Sequence, residues 1–175
     1  RVAALKDEEL VEADAAQEGP RLVQELKKTR LRADIFSFAQ KLPDVTPKLN
    51  YYFEWESWAA VRTTSFDDWW KGLPQESRKN VRRAAKHGVT VKVATFDDEL
   101  VKGIQAIYNE TLVRQGRPFW HFGKDFSTVK REMESYLDRS GFIGAFVNDE
   151  LVGFIKVAYV NRVATITQIL AKNAY

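Results

Sequence analysis

The sequence has no cysteine, one methionine and only two histidines among its 175 residues. The lack of cysteine excludes disulfides, thiolate nucleophiles and cysteine-ligated zinc, and it fits a reducing compartment. Two histidines without cysteine are a poor ligand set, so we expect no metal. No apolar run reaches the roughly eighteen residues of a membrane helix. The chain begins at Arg1 without a signal peptide, and we expect a cytoplasmic fragment of a longer protein.

The sequence also has little net charge, because 27 basic residues against 24 acidic residues leave an excess of only +3. This total does not by itself indicate a nucleic-acid binder. A hydrophobic content of 45%, including 13% aromatic residues, instead indicates a folded domain with a proper core.

Changes in composition predict three parts. Residues 1–32 are charged and helical in composition, with a break at Gly19-Pro20. Residues 33–64 are rich in β-favouring residues, and we expect two or three strands around Pro43 and Pro47. Residues 65–175 then form the main domain.

The main domain opens with a helical segment. Ser65, three residues before Asp68, predicts a helix cap, Pro74 separates a short helix from a longer one, and Gly88 ends the second. Three residues are expected on the buried stripe of this second helix: Val81, Ala84 and Ala85.

The order of elements after Val89 follows from periodicity. Residues 89–95 alternate as a strand, and a helix is predicted from Asp97 to Val113 after a cap between Thr95 and Asp98. A second helix runs from Phe126 to Leu137 and is stopped by Gly141. The remaining residues form three antiparallel strands, because the breaks at 148–149 and 161–162 are too short for anything else.

The segment "ETLVRQGRPFWHFGKDF", residues 110–126, separates the two helices and is the first candidate site. Apolar walls with a few polar groups are typical of ligand sites, whereas an aromatic plug of the core is the alternative. We predict substrate contacts from five residues: Arg114, Gln115, Arg117, Phe119 and Trp120. His121 and Glu110 are the candidate bases, since an aromatic setting should keep His121 neutral.

The helix before the first strand is the second candidate site. Arg78, Arg82 and Lys86 recur every four residues, so they share one helix face. We predict an anion site there for a phosphate, an RNA backbone or an acidic lipid, and the alternative is a solvated charged face.

The predicted order, strand, two helices and a three-strand meander, resembles the GNAT-type acyl-CoA N-acyltransferase fold. "RKNVRRAAKHGVTV", residues 78–91, is similar to the basic helix of the Fem-like branch, and "DELVGFIKVAYV", residues 149–160, is similar to a GNAT hairpin strand. The resemblance covers residues 65–175. It implies an α/β (α+β) fold with a mixed sheet and two helices between the first and second core strands, preceded by the β-rich lobe.

The resemblance also implies a function and a cofactor. Acyl-CoA, such as acetyl-CoA, would be held along the last strand by Gln168, Ile169 and Leu170, and the acceptor would be a small-molecule, lipid or peptidoglycan-precursor amine. In the family a glycine-rich turn after this strand binds the pyrophosphate. This sequence ends at Tyr175, so we expect the fold to lack its C-terminal part and the chain to bind coenzyme A weakly or not at all. An aminoacyl-tRNA-dependent Fem-type transferase, with tRNA at the basic helix, and a non-catalytic binding module remain alternatives.

Overall fold

A computed structural model describes residues 1–6, 15–40, 42 and 45–173. The chain forms two compact units, Arg1–Ala59 and Ala60–Tyr175. Within the described residues, no helix combines the length and the apolar composition needed to cross a membrane.

The first unit contains a helix and a two-stranded sheet. Strand β1 (Val2–Ala4) pairs in parallel with β2 (Ile35–Ser37), and helix α1 (Ala15–Lys28) lies between them in sequence. The predicted break at Gly19-Pro20 is wrong, because both residues lie inside α1. Gly19 has a packing role there: a Cβ atom on it would come within 2.7 Å of the Phe38 ring. Residues 7–14 of the predicted arm and Pro43 lie outside the described residues.

The two or three strands predicted over residues 33–64 are also not found. Within the described part of that range, β2 is the one regular element. The β-favouring aromatic residues between 51 and 58 remain exposed and pair locally, as Phe53 does with Trp55 at 5.4 Å between ring centroids. Side chains without a sheet partner gain nothing from a strand conformation, which explains the error. Because β1 pairs with β2, residues on both sides of the predicted boundary at 32/33 belong to one unit.

The second unit opens with α2 (Phe66–Gly72) and α3 (Gln75–Lys86). Ser65 caps α2 by accepting a hydrogen bond from the backbone N–H of Asp68 at 3.1 Å. Gly88 follows α3 with a φ of +80°, a left-handed conformation that suits glycine. Both ends agree with the prediction.

A four-stranded antiparallel sheet forms the centre of this unit, with two helices between its first and second strands, and this confirms the predicted core order. The strand order is β3-β6-β7-β8. The elements in chain order are β3 (Thr90–Ala94), α4 (Asp98–Tyr108), β4 (Val113–Arg114), β5 (Arg117–Pro118), α5 (Phe126–Met133), β6 (Ser140–Val147), β7 (Glu150–Val160) and β8 (Val163–Ala171).

The core lies between α4, α5 and one face of the sheet. Ile104 and Tyr108 of α4, Val129 of α5 and Phe142 and Phe154 of the sheet are all buried in it. The predicted buried stripe of α3 is wrong: no residue of α3 is buried, and Val81 is 52% exposed. The core is built from large side chains of α4 and α5, and the stripe of α3 offers only a valine and two alanines.

Both core helices are shorter than predicted. Asp97, rather than Thr95, caps α4 by accepting from the N–H of Leu100 at 2.8 Å, and α4 ends at Tyr108 rather than Val113. Helix α5 ends at Met133 rather than Leu137. The ammonium group of Lys156, which is buried in β7, donates to the carbonyl oxygens of Met133 at 2.9 Å and Ser135 at 2.6 Å, and so binds the free carbonyl groups of that helix end.

Candidate functional site

The segment between α4 and α5 is a tight β-hairpin followed by an aromatic turn. Gln115 and Gly116 join β4 to β5 with φ values of 51° and 73°. A two-residue loop with both φ angles positive matches the twist of the strands on either side. Phe119 then packs against the core, while Trp120 points outward and is 73% exposed. The segment is therefore neither a plain loop nor an aromatic plug throughout.

His121 turns inward from this hairpin and is buried, with 6% of its surface exposed. Its ring lies against Tyr108 at 4.1 Å and Trp120 at 3.7 Å between ring centroids. Burial, together with the nearby charge of Lys124, lowers the pKa of His121 to about 4. The imidazole is therefore neutral at physiological pH, as the sequence predicts, but it is also a weak base.

Lys124 and Glu132 hold the other side of His121. The Lys124 ammonium donates to both carboxylate oxygens of Glu132, at 2.7 and 2.9 Å, and lies 3.1 Å from His121 Nδ1. It also lies 4.0 Å from the centre of the Trp120 ring. This arrangement ties the aromatic turn to α5.

Gln168 of β8 reaches the same histidine from the sheet. Its side-chain amide lies 3.3 Å from His121 Nε2 and contacts the hydroxyl of Tyr108. Burial raises the pKa of the Tyr108 phenol, so that the hydroxyl stays protonated. The structure thus brings together His121, predicted as a base, and Gln168, predicted as a cofactor contact.

Strand β8 has a β-bulge at this point. Lys156 pairs with Gln168 and Val157 pairs with Ile166, so Thr167 is the extra residue. A bulge interrupts the ladder and re-aims the neighbouring side chains, and bulges are frequent next to active sites. The outer edge of β8 has no neighbouring strand within the described residues, and Ile169 is 64% exposed. Alternate backbone groups along this edge can therefore bind an extended ligand.

Glu110 and Arg114 form a separate cluster at the end of β8. Their side chains make an ion pair at 3.0 Å. Arg114 Nη1 donates to the carbonyl oxygen of Ala171 at 2.9 Å, and the N–H of Asn173 donates to the Glu110 carboxylate at 2.9 Å. Arg114 therefore connects the hairpin to the sheet, whereas the side chain of Glu110 keeps 24% of its surface in solvent.

The other predicted substrate contacts lie on the surface. Gln115 and Arg117 are exposed on the hairpin, and Trp120 is exposed beyond it. Leu170, predicted to contact the cofactor, is half-buried against the core. The roles of these residues stay predictions.

The basic side chains of helix α3 differ in whether they contact the rest of the protein. Arg78 donates to the carbonyl oxygen of Lys71 at 2.7 Å and so caps the end of α2. The side chains of Arg82, Arg83 and Lys86 form no hydrogen bond or ion pair with the described part of the chain, and all three residues are exposed. These three residues are named the cationic ridge below.

Three members of the His121 cluster escaped the sequence reasoning. Tyr108 lies in the apolar repeat of its helix, which predicts only a core residue. Lys124 and Glu132 belong to no sequence pattern. The available signal was the spacing of charged residues after His121: Lys124 follows it by three residues, and Glu132 on the next helix follows Lys124 by eight. Among the described residues, no group of three side chains is arranged to hold a metal ion.

No family model matches the sequence, and no curated protein matches it. Several solved structures are similar to it in part, among them the following three. A candidate acetyltransferase from Pyrococcus horikoshii shares 24% identity over 50% of this chain and 28% of its own length, with a TM-score of 0.39. L-PGS from Bacillus licheniformis shares 19% over 55% of this chain and 29% of its own, also at 0.39. The PaiA N-acetyltransferase from Thermoplasma acidophilum, in complex with coenzyme A, shares 16% over 49% of this chain and 61% of its own, at 0.32.

The chain spans less than a third of the length of the first two proteins.

Proposed function

We propose that residues 60–173 form the thioester-binding part of an N-acyltransferase, which moves an acyl group from acyl-CoA to an amine. The bulged, open edge of β8 beside Gln168 is the observation that carries this proposal. An extended pantetheine arm can add to such an edge as a strand would, and fixed backbone dipoles then lie next to the thioester carbonyl. The resemblance of residues 65–175 to GNAT-type enzymes points to the same strand.

In the proposed reaction, the lone pair of a neutral amine attacks the thioester carbonyl carbon and forms the C–N bond. The C–S bond then breaks and coenzyme A leaves as a thiolate. The nitrogen loses one proton and the thiolate gains one, so no oxidant or metal is needed. A base that accepts the amine proton makes this step easier.

Glu110 is the better candidate for that base, either directly or through a bound water. Its carboxylate lies at the end of β8 and is partly open to solvent. His121 is buried and a weak base, and its Nδ1 already faces the Lys124 ammonium. We therefore assign His121 a positioning role, with Glu110 as the proton acceptor. Glu110→Gln should then lower kcat, with the largest effect at low pH, where the amine is mostly protonated.

The test is the release of coenzyme A thiol by the full-length protein from acetyl-CoA, with and without a panel of primary amines. These 175 residues contribute no thiol, so a thiol reagent reports the product without background from them. We expect release that depends on the amine. Release equal to spontaneous hydrolysis with every amine would rule out acyl transfer from acetyl-CoA and leave an aminoacyl-tRNA-dependent transferase or a non-catalytic binding module.

The cationic ridge favours a second candidate, an aminoacyl-tRNA-dependent transferase. Arg82, Arg83 and Lys86 occupy one face of α3, and no described carboxylate neutralises them. Helix α3 alone holds five basic residues against one acidic residue, whereas the net charge of the whole chain is +3. Such a concentrated positive face suits a polyanion.

Salt dependence decides this second candidate. Each lysine or arginine that neutralises a phosphate adds about one unit to the slope of log K against log salt. Arg82→Gln and Arg83→Gln should each lower that slope for tRNA by about one unit. Lys102→Gln is the matched control, because Lys102 lies on α4 and already pairs with Glu99 at 2.7 Å. Slopes that are equal for all variants would exclude the ridge as an RNA site.

A further inference from the structure

The orientation of the Gln168 side-chain amide can be deduced from the protons around it. The nitrogen and oxygen of an amide are assigned from their neighbours rather than seen. In the structure, the amide nitrogen faces both His121 Nε2 and the Tyr108 hydroxyl. Whether a nitrogen or an oxygen belongs there depends on which atom of His121 carries the proton.

Lys124 decides the position of that proton. Its ammonium has three N–H groups and no lone pair. Two of them reach the oxygens of Glu132, at 2.7 and 2.9 Å, and the third faces His121 Nδ1 at 3.1 Å. Nδ1 must therefore accept, and a neutral imidazole that accepts at Nδ1 carries its proton on Nε2.

An Nε2–H group needs an acceptor, and the amide nitrogen of Gln168 cannot be one. The Tyr108 hydroxyl keeps its proton, so it can donate to an oxygen at that position as well as accept from a nitrogen. Rotation of the amide by half a turn places its oxygen between these two groups, and the two lone pairs of that oxygen accept both hydrogen bonds. The reversed orientation therefore satisfies every proton in the cluster, whereas the other orientation leaves two N–H groups facing each other.

We infer that the Gln168 amide is held in the reversed orientation by His121 and Tyr108, and that its NH2 group is a hydrogen-bond donor for a ligand bound along β8. The NH2 group then takes the position of the amide oxygen, which accepts no hydrogen bond from the described residues. It lies beside the bulge at Thr167, on a half-buried side chain. If the proposed function holds, the acceptor of this hydrogen bond is the carbonyl oxygen of the thioester, where negative charge develops during attack.

The orientation is tested by nitrogen NMR of the imidazole rings, which needs no ligand. The chain has two histidines, and the His87→Asn variant leaves the signals of His121 alone. We expect a protonated Nε2 and an unprotonated Nδ1 at pH 7. Lys124→Met should remove the fixed preference, because Nδ1 loses its donor. A protonated Nδ1 in the otherwise unaltered chain would overturn the inference, since Gln168 would then donate to Nε2 as placed.

The donor role is tested with S-acetyl-pantetheine, an uncharged thioester, so that added charge on the protein has little effect. Gln168→Glu keeps two oxygens for His121 and Tyr108 but has no NH2 group. We expect it to retain the fold and to bind the probe about tenfold more weakly, as for one lost hydrogen bond. Gln75→Glu, at the exposed start of α3, is the matched control and should bind like the parent chain.

The outcomes separate this inference from the proposed function. Equal binding by Gln168→Glu and the parent chain would overturn the donor role but leave thioester binding intact. No binding of the probe by the parent chain would overturn both the donor role and thioester binding at β8, whereas the imidazole measurement would still decide the orientation. Gln168→Met, which lacks both amide groups, should bind at least as weakly as Gln168→Glu. Tight binding by that variant would count against the donor role even if the glutamate variant failed to fold.

Discussion

Acidification should destabilise the protein through a single buried histidine. The pKa of His121 falls from 6.5 in the unfolded chain to about 4 in the folded protein, chiefly because the ring is buried. Between these values the unfolded state binds a proton that the folded state does not. Stability from this residue is therefore fully present above pH 6.5 and is lost as the pH falls towards 4.

The size of the effect follows from the shift. Each pKa unit corresponds to about 1.36 kcal/mol, so the whole shift is worth about 3 kcal/mol, and about 2 kcal/mol of it is lost between pH 7.5 and 5.0. This free energy is not reduced for screening by solvent, because the side chain of His121 is only 8% exposed.

Urea unfolding of the parent chain and of His121→Asn at both pH values measures this contribution. Other groups titrate in both proteins, so only the difference in their free energies of unfolding is used. We expect this difference to move by about 2 kcal/mol in favour of the variant at the lower pH. His87→Asn is the matched control, at an exposed residue. A difference that stays constant with pH would refute the buried, neutral state of His121 and the proton count at Gln168 that depends on it.

Four further substitutions probe the packing and the acceptor hairpin. Trp120→Ala should cost only about 1–2 kcal/mol of stability, because solvent reaches 73% of the residue, whereas Ile104→Ala, fully buried, should cost about 2–5 kcal/mol in the same denaturant melts. Equal losses would favour the aromatic plug. Gly103→Ala should cost about 1–3 kcal/mol, because its Cβ would lie 2.8 Å from Leu151 Cδ2. Arg117→Ala should lower kcat/KM for the amine, by an amount equivalent to about 1.5–3 kcal/mol of transition-state stabilisation, and should leave the free energy of unfolding unchanged. Unaltered kinetics would exclude an acceptor contact at Arg117.

The order of the core elements was predictable because each carries a strong local signal. Strand β3 alternates, α4 repeats its apolar residues every three or four positions, and the three final strands are separated by two-residue polar turns. Asn148 and Asn161 both have positive φ values, as such turns require. Where local pattern and tertiary packing agree, sequence reasoning succeeds.

The errors occur where tertiary contacts decide. Lys156 binds the end of α5 from a strand more than twenty residues away, and no local signal predicts that the helix stops there. Pro20 remains inside α1, although proline usually interrupts a helix. Val81 and its neighbours have a helical repeat but no large partner to pack against.

The candidate site shows the same division. The aromatic neighbours of His121 predict it as a site residue, and the family resemblance predicts Gln168. No sequence pattern predicts that these two residues, 47 positions apart, contact each other. No sequence pattern predicts Lys124 and Glu132, because a single lysine or glutamate carries no information until its partner is known. Arg78 was chosen for its charge, but its side chain binds carbonyl groups at the end of the preceding helix.

Backbone amide NMR with increasing acetyl-CoA tests the proposed thioester site most directly. We expect saturable shifts at Gln168, Ile169 and Leu170, along the open edge of β8. Shifts confined to the cationic ridge on α3, or no shifts at millimolar ligand, would contradict thioester binding at β8.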